Sequence, residues 1–378
     1  MNEAGTRIAR KRCAIVECYS RHDEVYLTTV YLLEQLGYEV HLFNDWRNRL
    51  RNSFVHAPGL KPRIRSHLTA SGVLEAVREQ RFDLVIFNTF EGREVLDCAR
   101  GILRHTPVLG FMHNASLICN LEDYQPFLQH PRCRLMVLAP YVGEHFAHLA
   151  PASTVTPMFF FDRAVPRIPR SPVRRRFCVQ GYFDPGRRDY ERLLQALKDL
   201  RSEGRVDFEV YVMGRSFDRR FRDFDRQVRA AGLASQVRYS WKGIGYRHYY
   251  RLLNSMDFVL PLISPESHPT YFKSKSTSSI VAAVGFDAVP VTHERLAQHY
   301  SLGNSAITYT TDLLPAMRRA LDIEDVELAT LRGRVALVRQ RHLDNSLREL
   351  GEAIAVVGAA SRPAPRDEKL SCEMQTAV

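Results

Sequence analysis

A polar loop between two apolar runs holds the residues best suited to bind an anion. It contains two lysines and the first three of four consecutive hydroxyl residues, namely Lys273, Lys275, Ser276, Thr277 and Ser278. Ser276 or Thr277 is predicted to cap a helix that begins there. Because the N-terminus of a helix presents unpaired N–H groups and a partial positive charge, it suits phosphate oxygens. The composition is equally typical of a capped surface helix with solvated lysines.

Side chains that transfer protons follow the predicted strands of the first half of the chain. His22 and Asp23 come after the first strand, Asn88 and Glu91 after a later one, and His113 after the next. Because parallel sheets bind ligands at the carboxyl ends of their strands, we expect these residues to share one edge. Imidazole and carboxylate groups act as general acids and bases. A structural role is the alternative for each of them.

The elements that position these residues follow from an alternation of strand-like apolar runs and amphipathic segments. In the first half we predict strands at 13–19, 39–43, 83–88, 107–112 and 134–139, and helices at 24–36, 68–80, 93–104 and 142–149. In the second half we predict strands at 177–181, 208–214, 237–241, 258–263, 288–292 and 306–309. Helices are predicted there at 189–200, 217–231, 247–255, 280–284, 312–321, 326–341 and 346–357. Successive strand, helix and strand segments build parallel sheets.

A segment rich in proline and arginine interrupts this alternation, and we place the domain boundary there. The predicted divisions are a basic tail at 1–12, a first domain at 13–150, a linker at 151–176, a second domain at 177–345, a C-terminal helix at 346–360 and a disordered tail at 361–378. The sequence therefore predicts an α/β fold with two Rossmann-like, doubly wound domains that face a cleft.

The composition of the 378-residue chain is that of a soluble globular protein with an excess of basic residues, since 45% of its residues are apolar and 25% are charged. No apolar run approaches the roughly 18 residues of a membrane helix and no signal-type block begins the chain, so we expect a cytoplasmic protein. Seven cysteines without a CxxC pair predict neither disulfides nor a zinc site. The net charge of +11 indicates an anionic partner, either a phosphate-bearing substrate or a lipid surface, with solvated arginines in loops such as 163–176 as the alternative for part of the excess. Nucleic acid is not expected, because no recognition module is present.

Between residues 177 and 309 the chain resembles the nucleotide-sugar glycosyltransferases of the GT-B fold. The resemblance is carried by VQGYFDPGR at 179–187, FEVYVMG at 208–214, YSWKGI at 239–244, LNSMDFVLPL at 253–262 and KSTSSIVAAVG at 275–285. They are similar, in order, to the family's first strand and basic turn, a strand ending in glycine, a strand whose end contacts the nucleobase, a helix with its strand, and the donor-phosphate helix. The first half is similar in pattern alone.

The resemblance implies a set of donor-binding residues in the second domain. They are Gly181, Arg187, Arg188, Gly214, Lys242, Gly243, Ile244, Glu266, Lys273, Lys275, Ser276, Thr277 and Ser278. Trp241, Lys242 and Ile244 would contact the base. The chain departs from the family at two points. Retaining members carry a pair of glutamates here, of which Glu266 matches the first while the helix has no acid, and Tyr182 stands where an arginine is common.

The resemblance also implies how such a reaction would be catalysed. Family members often carry a histidine near the reacting sugar at the position of His113, and an inverting enzyme would use a base such as His22 or Asp23. Negative charge that develops on the departing diphosphate must be stabilised by fixed donors. Because no strand ends in an Asp-x-Asp pair, we expect a cationic cage, with no metal ion or other cofactor.

The expected function is glycosyl transfer from a nucleoside-diphosphate sugar to a carbohydrate or lipid-linked glycan acceptor, in the synthesis of a bacterial surface polysaccharide or glycolipid. The basic charge predicts a peripheral position on an anionic membrane surface, at its inner face. Two alternatives share the fold. One is a sugar-nucleotide epimerase, and the other is a non-catalytic protein that binds nucleotide sugars.

Overall fold

Two parallel sheets, one in each half of the chain, form the framework of the protein. The computed structural model describes residues 10–19, 22–45, 54, 57, 59–67, 69–119, 121–149, 152–156, 165–169, 175–214, 219–239 and 244–360. Within these residues the first sheet has seven strands and the second has six. Because helices connect the strands of both sheets, the predicted α/β fold with two Rossmann-like domains is confirmed.

The first sheet contains β1 (Arg12–Glu17), β2 (Glu39–Asp45), β3 (Arg63–His67), β4 (Leu84–Phe87), β5 (Val108–Met112), β6 (Cys133–Val137) and β7 (Ser153–Thr154). Its helices are α1 (Asp23–Gln35), α2 (Ala70–Arg78), α3 (Arg93–Ile102), α4 (Leu121–Leu128) and α5 (Pro140–Phe146), with a 3-10 turn at Ala115–Cys119. The strand order is β3-β2-β1-β4-β5-β6-β7. The order reverses between β1 and β4, and α/β sheets bind ligands in the crevice at such a point.

The two edge strands of this sheet differ from the prediction. Strand β3 has the sequence Arg-Ile-Arg-Ser-His and is largely exposed, so it lacks the apolar pattern by which strands are predicted. Strand β7 has two residues and lies within the predicted linker. Each pairs with one inner neighbour in parallel register. Because an edge strand has one unpaired side, it tolerates a polar sequence.

The second sheet contains β8 (Arg175–Val179), β9 (Phe208–Val212), β10 (Val237–Tyr239), β11 (Phe258–Val259), β12 (Val289–His293) and β13 (Ile307–Tyr309), in the order β10-β9-β8-β11-β12-β13. Its helices are α6 (Tyr190–Ser202), α7 (Arg219–Ala230), α8 (Tyr246–Leu253), α9 (Ser278–Gly285), α10 (Glu294–His299) and α11 (Leu314–Asp322), with 3-10 turns at Pro269–Phe272 and Gly303–Ser305. Helix α9 is buried from Ser279 to Gly285, as its apolar sequence predicts.

A single long helix, α12 (Asp325–Ala359), replaces the two C-terminal helices that the sequence predicts. Its first part packs in the core of the second domain and its last part in the core of the first. In the predicted gap between the two helices, His342 is buried and bonds the Tyr300 carbonyl at 3.1 Å, and Ser346, where the second helix was predicted to begin, is buried and its hydroxyl accepts from the Thr156 amide at 3.0 Å. No helix in the described part of the chain is long and apolar enough to cross a bilayer.

Gly214→Ala should destabilise the second domain by about 2–3 kcal/mol, the upper range for an overpacked core. A Cβ at Gly214 would lie 2.5 Å from the Phe183 amide nitrogen and 2.7 Å from the Tyr182 carbonyl carbon, and backbone atoms yield little. Denaturant unfolding measures the change. The control is Gly333→Ala, in the interior of α12 with no atom within 4 Å of the new Cβ. It should stabilise by about 0.5–1 kcal/mol, and equal effects of both variants would contradict the steric argument.

Candidate functional site

A cavity of about 330 Å³ lies between the two domains, where the carboxyl ends of strands from both sheets approach each other. Loops after β1, β4 and β5 form its first-domain wall, and the loops after β8 and before α9 form its second-domain wall. It is lined by His22, Val25, Glu91, His113, Asn114, Leu138, Arg187, Arg188, Tyr271, Lys275, Ser276, Thr277, Ser278 and Val281. The cavity therefore combines basic and hydroxyl groups on one side with imidazole and carboxylate groups on the other.

The structure brings together many of the residues that the sequence singles out, but not all of them. The cavity is lined by His22, His113, Arg187, Arg188, Lys275, Ser276, Thr277 and Ser278. The residues that do not line it are Gly181, Gly214, Ile244, Glu266 and Lys273. Trp241, Lys242 and Gly243 lie outside the described residues, as does the side chain of Asp23, whose backbone begins α1.

Arg188 carries a buried positive charge in the wall of the cavity. Its residue is 8% exposed, and its guanidinium donates to the Tyr182 carbonyl at 3.3 Å and the Ser279 hydroxyl at 3.2 Å. Within the described chain no carboxylate lies within 4.0 Å of it, and its Nε has no acceptor. Because buried cations are ordinarily paired, this guanidinium can bind an external anion. Gly181 makes room for it, since a Cβ there would lie 2.7 Å from the Arg188 Nη2.

The N-terminus of α9 faces the cavity next to Arg188, and its cap is Thr277 rather than Ser276. The Thr277 hydroxyl accepts from the Ser279 amide at 3.3 Å, and the Thr277 amide donates to the Tyr300 hydroxyl at 2.8 Å. The hydroxyls of Ser278 and Ser279 both donate to Gln180 Oε1 at 3.2 Å. The Ser278 amide has no acceptor in the part of the chain that is described, so it can donate to a ligand.

The loop that precedes α9 is fixed by the first domain. The Tyr141 hydroxyl, on α5, lies 3.0 Å from the Tyr271 carbonyl and 2.5 Å from the Lys275 carbonyl and donates its proton to this pair. Burial raises the pKa of Tyr141, so the hydroxyl keeps its proton. A second link joins the Ala115 amide to the Ser274 carbonyl at 3.0 Å. Lys275 is thus held in the cavity wall, and among described residues no carboxylate lies within 4.0 Å of its ammonium group.

Two histidines stack on the first-domain wall. The rings of His22 and His113 lie 3.7 Å apart at an angle of 26°. His113 Nε2 lies 2.7 Å from the Asn88 carbonyl oxygen. Because a carbonyl accepts hydrogen bonds, Nε2 carries the proton and Nδ1 carries the lone pair. Burial, together with the neighbouring His22, lowers the pKa of His113 well below its usual 6.5, so the ring is neutral at physiological pH.

A buried glutamate that the sequence analysis missed orders this wall. Glu17 is fully buried at the end of β1 and accepts from Asn88 Nδ2 at 2.6 Å, from the Thr89 hydroxyl at 2.8 Å and from the Tyr19 amide at 2.9 Å. Asn88 Nδ2 also donates to the His22 carbonyl at 3.0 Å, so Glu17 fixes both histidines through Asn88. An acid that ends an otherwise apolar strand was the available signal.

Tyr141→Phe should loosen the loop before α9. The change leaves two carbonyls without their donor, which costs about 1–3 kcal/mol if they remain buried. Hydrogen exchange at the amides of 270–277 should accelerate by about tenfold or more, in proportion to that free energy. The control is Tyr124→Phe, which removes a hydroxyl bond of 3.2 Å to the Phe90 carbonyl elsewhere in the same domain. Equal exchange in both variants would show that Tyr141 does not hold the loop.

His113→Gln should reduce the acid sensitivity of the protein. The pKa of His113 is lowered in the folded state, so the unfolded chain takes up a proton on this ring at a higher pH than the folded chain does. The free energy of unfolding therefore decreases as the pH falls below about 6.5. Between about pH 7 and pH 5, wild type should lose about 1–2 kcal/mol more than the variant. Denaturant unfolding over this range measures it. His105 is exposed, so His105→Gln should show the same dependence of stability on pH as wild type. If His113→Gln also shows the wild-type dependence, burial of a neutral His113 is not the cause of the acid sensitivity.

More than 90% of the chain is similar to solved structures of glycosyltransferases. A glycosyltransferase from Rickettsia africae matches with a TM-score of 0.65 and 10% identity, over 93% of this chain and 99% of the other. Anabaena HepE, solved in complex with UDP, matches with a TM-score of 0.60 and 14% identity, over 91% and 99%. The lipopolysaccharide outer core galactosyltransferase WaaB matches with a TM-score of 0.53 and 11% identity, over 91% and 99%. No protein-family model and no curated sequence matches the chain. The architecture is therefore that of the GT-B fold.

Proposed function

We propose that this protein is a glycosyltransferase that moves a sugar from a nucleoside-diphosphate sugar to a hydroxyl group in the cavity between its domains. The observation that carries the proposal is the Arg188 guanidinium, which is buried, has no carboxylate within 4.0 Å among described residues, and lies beside the N-terminus of α9. Such a group needs an anion. The fold that the chain shares with HepE, which was solved with UDP, supports a diphosphate as that anion.

The second-domain wall would bind the donor. Arg188, Lys275 and Ser278 all line the cavity, and the two cations with the Ser278 amide suit the oxygens of a diphosphate. Arg187 also lines it, but its side chain is 65% exposed and pairs with Asp184 at 3.3 Å, so it contributes less. When the bond between the anomeric carbon and the diphosphate breaks, its electron pair stays on the diphosphate. Fixed cations and amides stabilise this charge, and loss of one such donor typically costs about 3 kcal/mol.

The first-domain wall would bind the acceptor. The acceptor hydroxyl forms the new bond to the anomeric carbon and must lose its proton. A neutral His113, with its lone pair on Nδ1, supports the role of base, and His22 stacks against it. The other predicted candidate, Asp23, stands beside them in the sequence. Because Glu17 and Asn88 fix the histidines before a ligand arrives, little reorganisation is needed.

The finer aspects of the function follow from the same proposal. Transfer would need no metal ion, because Arg188, Lys275 and the α9 amides take the place of a cation. Synthesis of a bacterial surface polysaccharide or glycolipid is supported by the fold shared with WaaB, a lipopolysaccharide galactosyltransferase. A carbohydrate or lipid-linked glycan would be the acceptor. A net charge of +11 supports contact with an anionic membrane surface at its cytoplasmic face.

Isothermal titration calorimetry of UDP, GDP, ADP and CMP, first without metal and then with magnesium, tests the donor site. One nucleoside diphosphate should bind, and Lys275→Ala should weaken it by about 1–3 kcal/mol, the range for a lost charged hydrogen bond. Lys273→Ala is the matched variant, because Lys273 is exposed and does not line the cavity. It should bind as wild type.

The outcomes separate the alternatives. Binding that needs magnesium would contradict the cationic cage, and the absence of any nucleotide binding would remove the basis of the proposal. Binding that both lysine variants retain would exclude Lys275 from the site. Incubation with the matching sugar nucleotide alone then distinguishes the enzymes, since an epimerase would isomerise the donor sugar without an acceptor.

A further inference from the structure

Glu91 places a carboxylate on the first-domain wall of the cavity, opposite the cations. Its Oε1 accepts from the backbone amides of His113 at 3.1 Å and Asn114 at 2.8 Å. Throughout the described ranges, no group donates to Oε2 and no cation lies within 4.0 Å of the carboxylate. Oε2 is also not buried. One oxygen of this carboxylate is thus fixed by the protein, while the other is accessible and accepts no hydrogen bond from the described residues.

The backbone around Glu91 is held on both sides. Phe90 is fully buried, its amide donates to the Phe111 carbonyl at 2.8 Å, and its carbonyl accepts from the Tyr124 hydroxyl at 3.2 Å. The Glu91 carbonyl accepts from the Tyr19 hydroxyl at 3.1 Å. Because both the backbone and Oε1 are fixed, the position of Oε2 is set before a ligand binds, and this lowers the entropy cost of a contact.

We propose that Glu91 Oε2 accepts a hydrogen bond from a sugar hydroxyl, and that Glu91 is therefore a specificity-determining residue of the site. The hydroxyl belongs either to the transferred sugar or to the acceptor, and this identification of the ligand rests on the proposed glycosyltransferase function. The contact is direct and needs no change of Glu91 during the reaction.

The chemistry of the two walls selects a hydroxyl as the partner. A carboxylate accepts hydrogen bonds and repels phosphate, so the diphosphate is confined to the wall of Arg188 and Lys275. The part of the substrate that reaches Glu91 must then carry no negative charge and must donate a hydrogen bond. Sugar hydroxyls meet both conditions. A site built to bond a hydroxyl rejects analogues that lack it, because the unpaired carboxylate would lose its contact with water.

Glu91→Gln tests the contact with little change of shape. The amide oxygen can replace Oε1 as the acceptor for the two backbone amides, and the NH2 group then replaces Oε2 and converts an acceptor into a donor. Glu94→Gln is the control, since Glu94 is exposed on α3 and does not line the cavity. Two readouts are needed. Calorimetry compares UDP, GDP and ADP with their glucose conjugates, and saturation-transfer NMR measures binding of free glucose, galactose and mannose.

We expect Glu91→Gln to lower one of these sugar affinities about tenfold, the effect of losing a charged hydrogen bond, while bare nucleotide affinity is unchanged. If the glucose conjugate exceeds the bare nucleotide in affinity by less in the variant than in wild type, the hydroxyl belongs to the donor sugar. A loss confined to free hexoses identifies the acceptor. Glu91→Asp shortens the side chain by one methylene and should cause the same loss of sugar affinity. This variant replaces Glu91→Gln in the test if Glu91→Gln does not fold.

Two results would overturn the inference. One is sugar binding in both Glu91 variants equal to that of wild type and Glu94→Gln. The other is an equal decline of bare nucleotide and sugar affinities, which would show that Glu91 acts on the fold. The two proposals fail separately. If wild type binds no nucleotide, the donor site is refuted, while the free-hexose measurement still decides the role of Glu91.

Discussion

A buried guanidinium, with no carboxylate partner among the described residues, is the constraint on which the second-domain wall depends. Burial of an unpaired ion costs several kcal/mol, and Arg188 is 8% exposed. Two neutral groups, the Tyr182 carbonyl and the Ser279 hydroxyl, accept hydrogen bonds from the guanidinium and offset part of this cost. Gly181, with φ of +94°, leaves the space that the side chain occupies. The neutral acceptors stabilise the positive charge of Arg188 but do not neutralise it, so the guanidinium still attracts an anion.

Contacts between the domains decide whether the two walls form one site. Helix α12 runs through the cores of both domains, and Tyr141 of the first domain holds the loop that presents Lys275 from the second. The Tyr141 contact uses backbone carbonyls, so it fixes the path of the loop whatever side chains the loop carries. The cavity therefore depends on contacts between residues that are far apart in the sequence, and not on the loop before α9 alone.

Local chemistry explains how much of this could be predicted from the sequence. Strands such as β5 are apolar throughout, and α9 combines an apolar run with a hydroxyl cap, so both are evident in the sequence. The edge strand β3 is polar, and the buried His342 resembles a break between helices, so neither could be read from local pattern. In the site, position after a strand predicted that His22, His113 and Glu91 would meet at one edge. It could not show that Glu17 fixes the two histidines, because that depends on contacts across 71 and 72 residues.

One wall of the cavity presents cations and hydrogen-bond donors, and the other presents hydrogen-bond acceptors. This difference limits the kind of ligand that suits both walls. The second domain presents cations and an amide that has no acceptor among the described residues, and these groups suit an anion, whereas Glu91 and a neutral His113 on the first domain present acceptors. A ligand that satisfies both must be charged at one end and hydroxylated at the other. A simple anion would leave the acceptors unused, and an uncharged sugar would leave Arg188 unpaired. The proposed donor, a sugar joined to a diphosphate, would satisfy both walls at once, and its scissile bond would then lie between the groups proposed to stabilise the leaving charge and those proposed to orient the incoming hydroxyl.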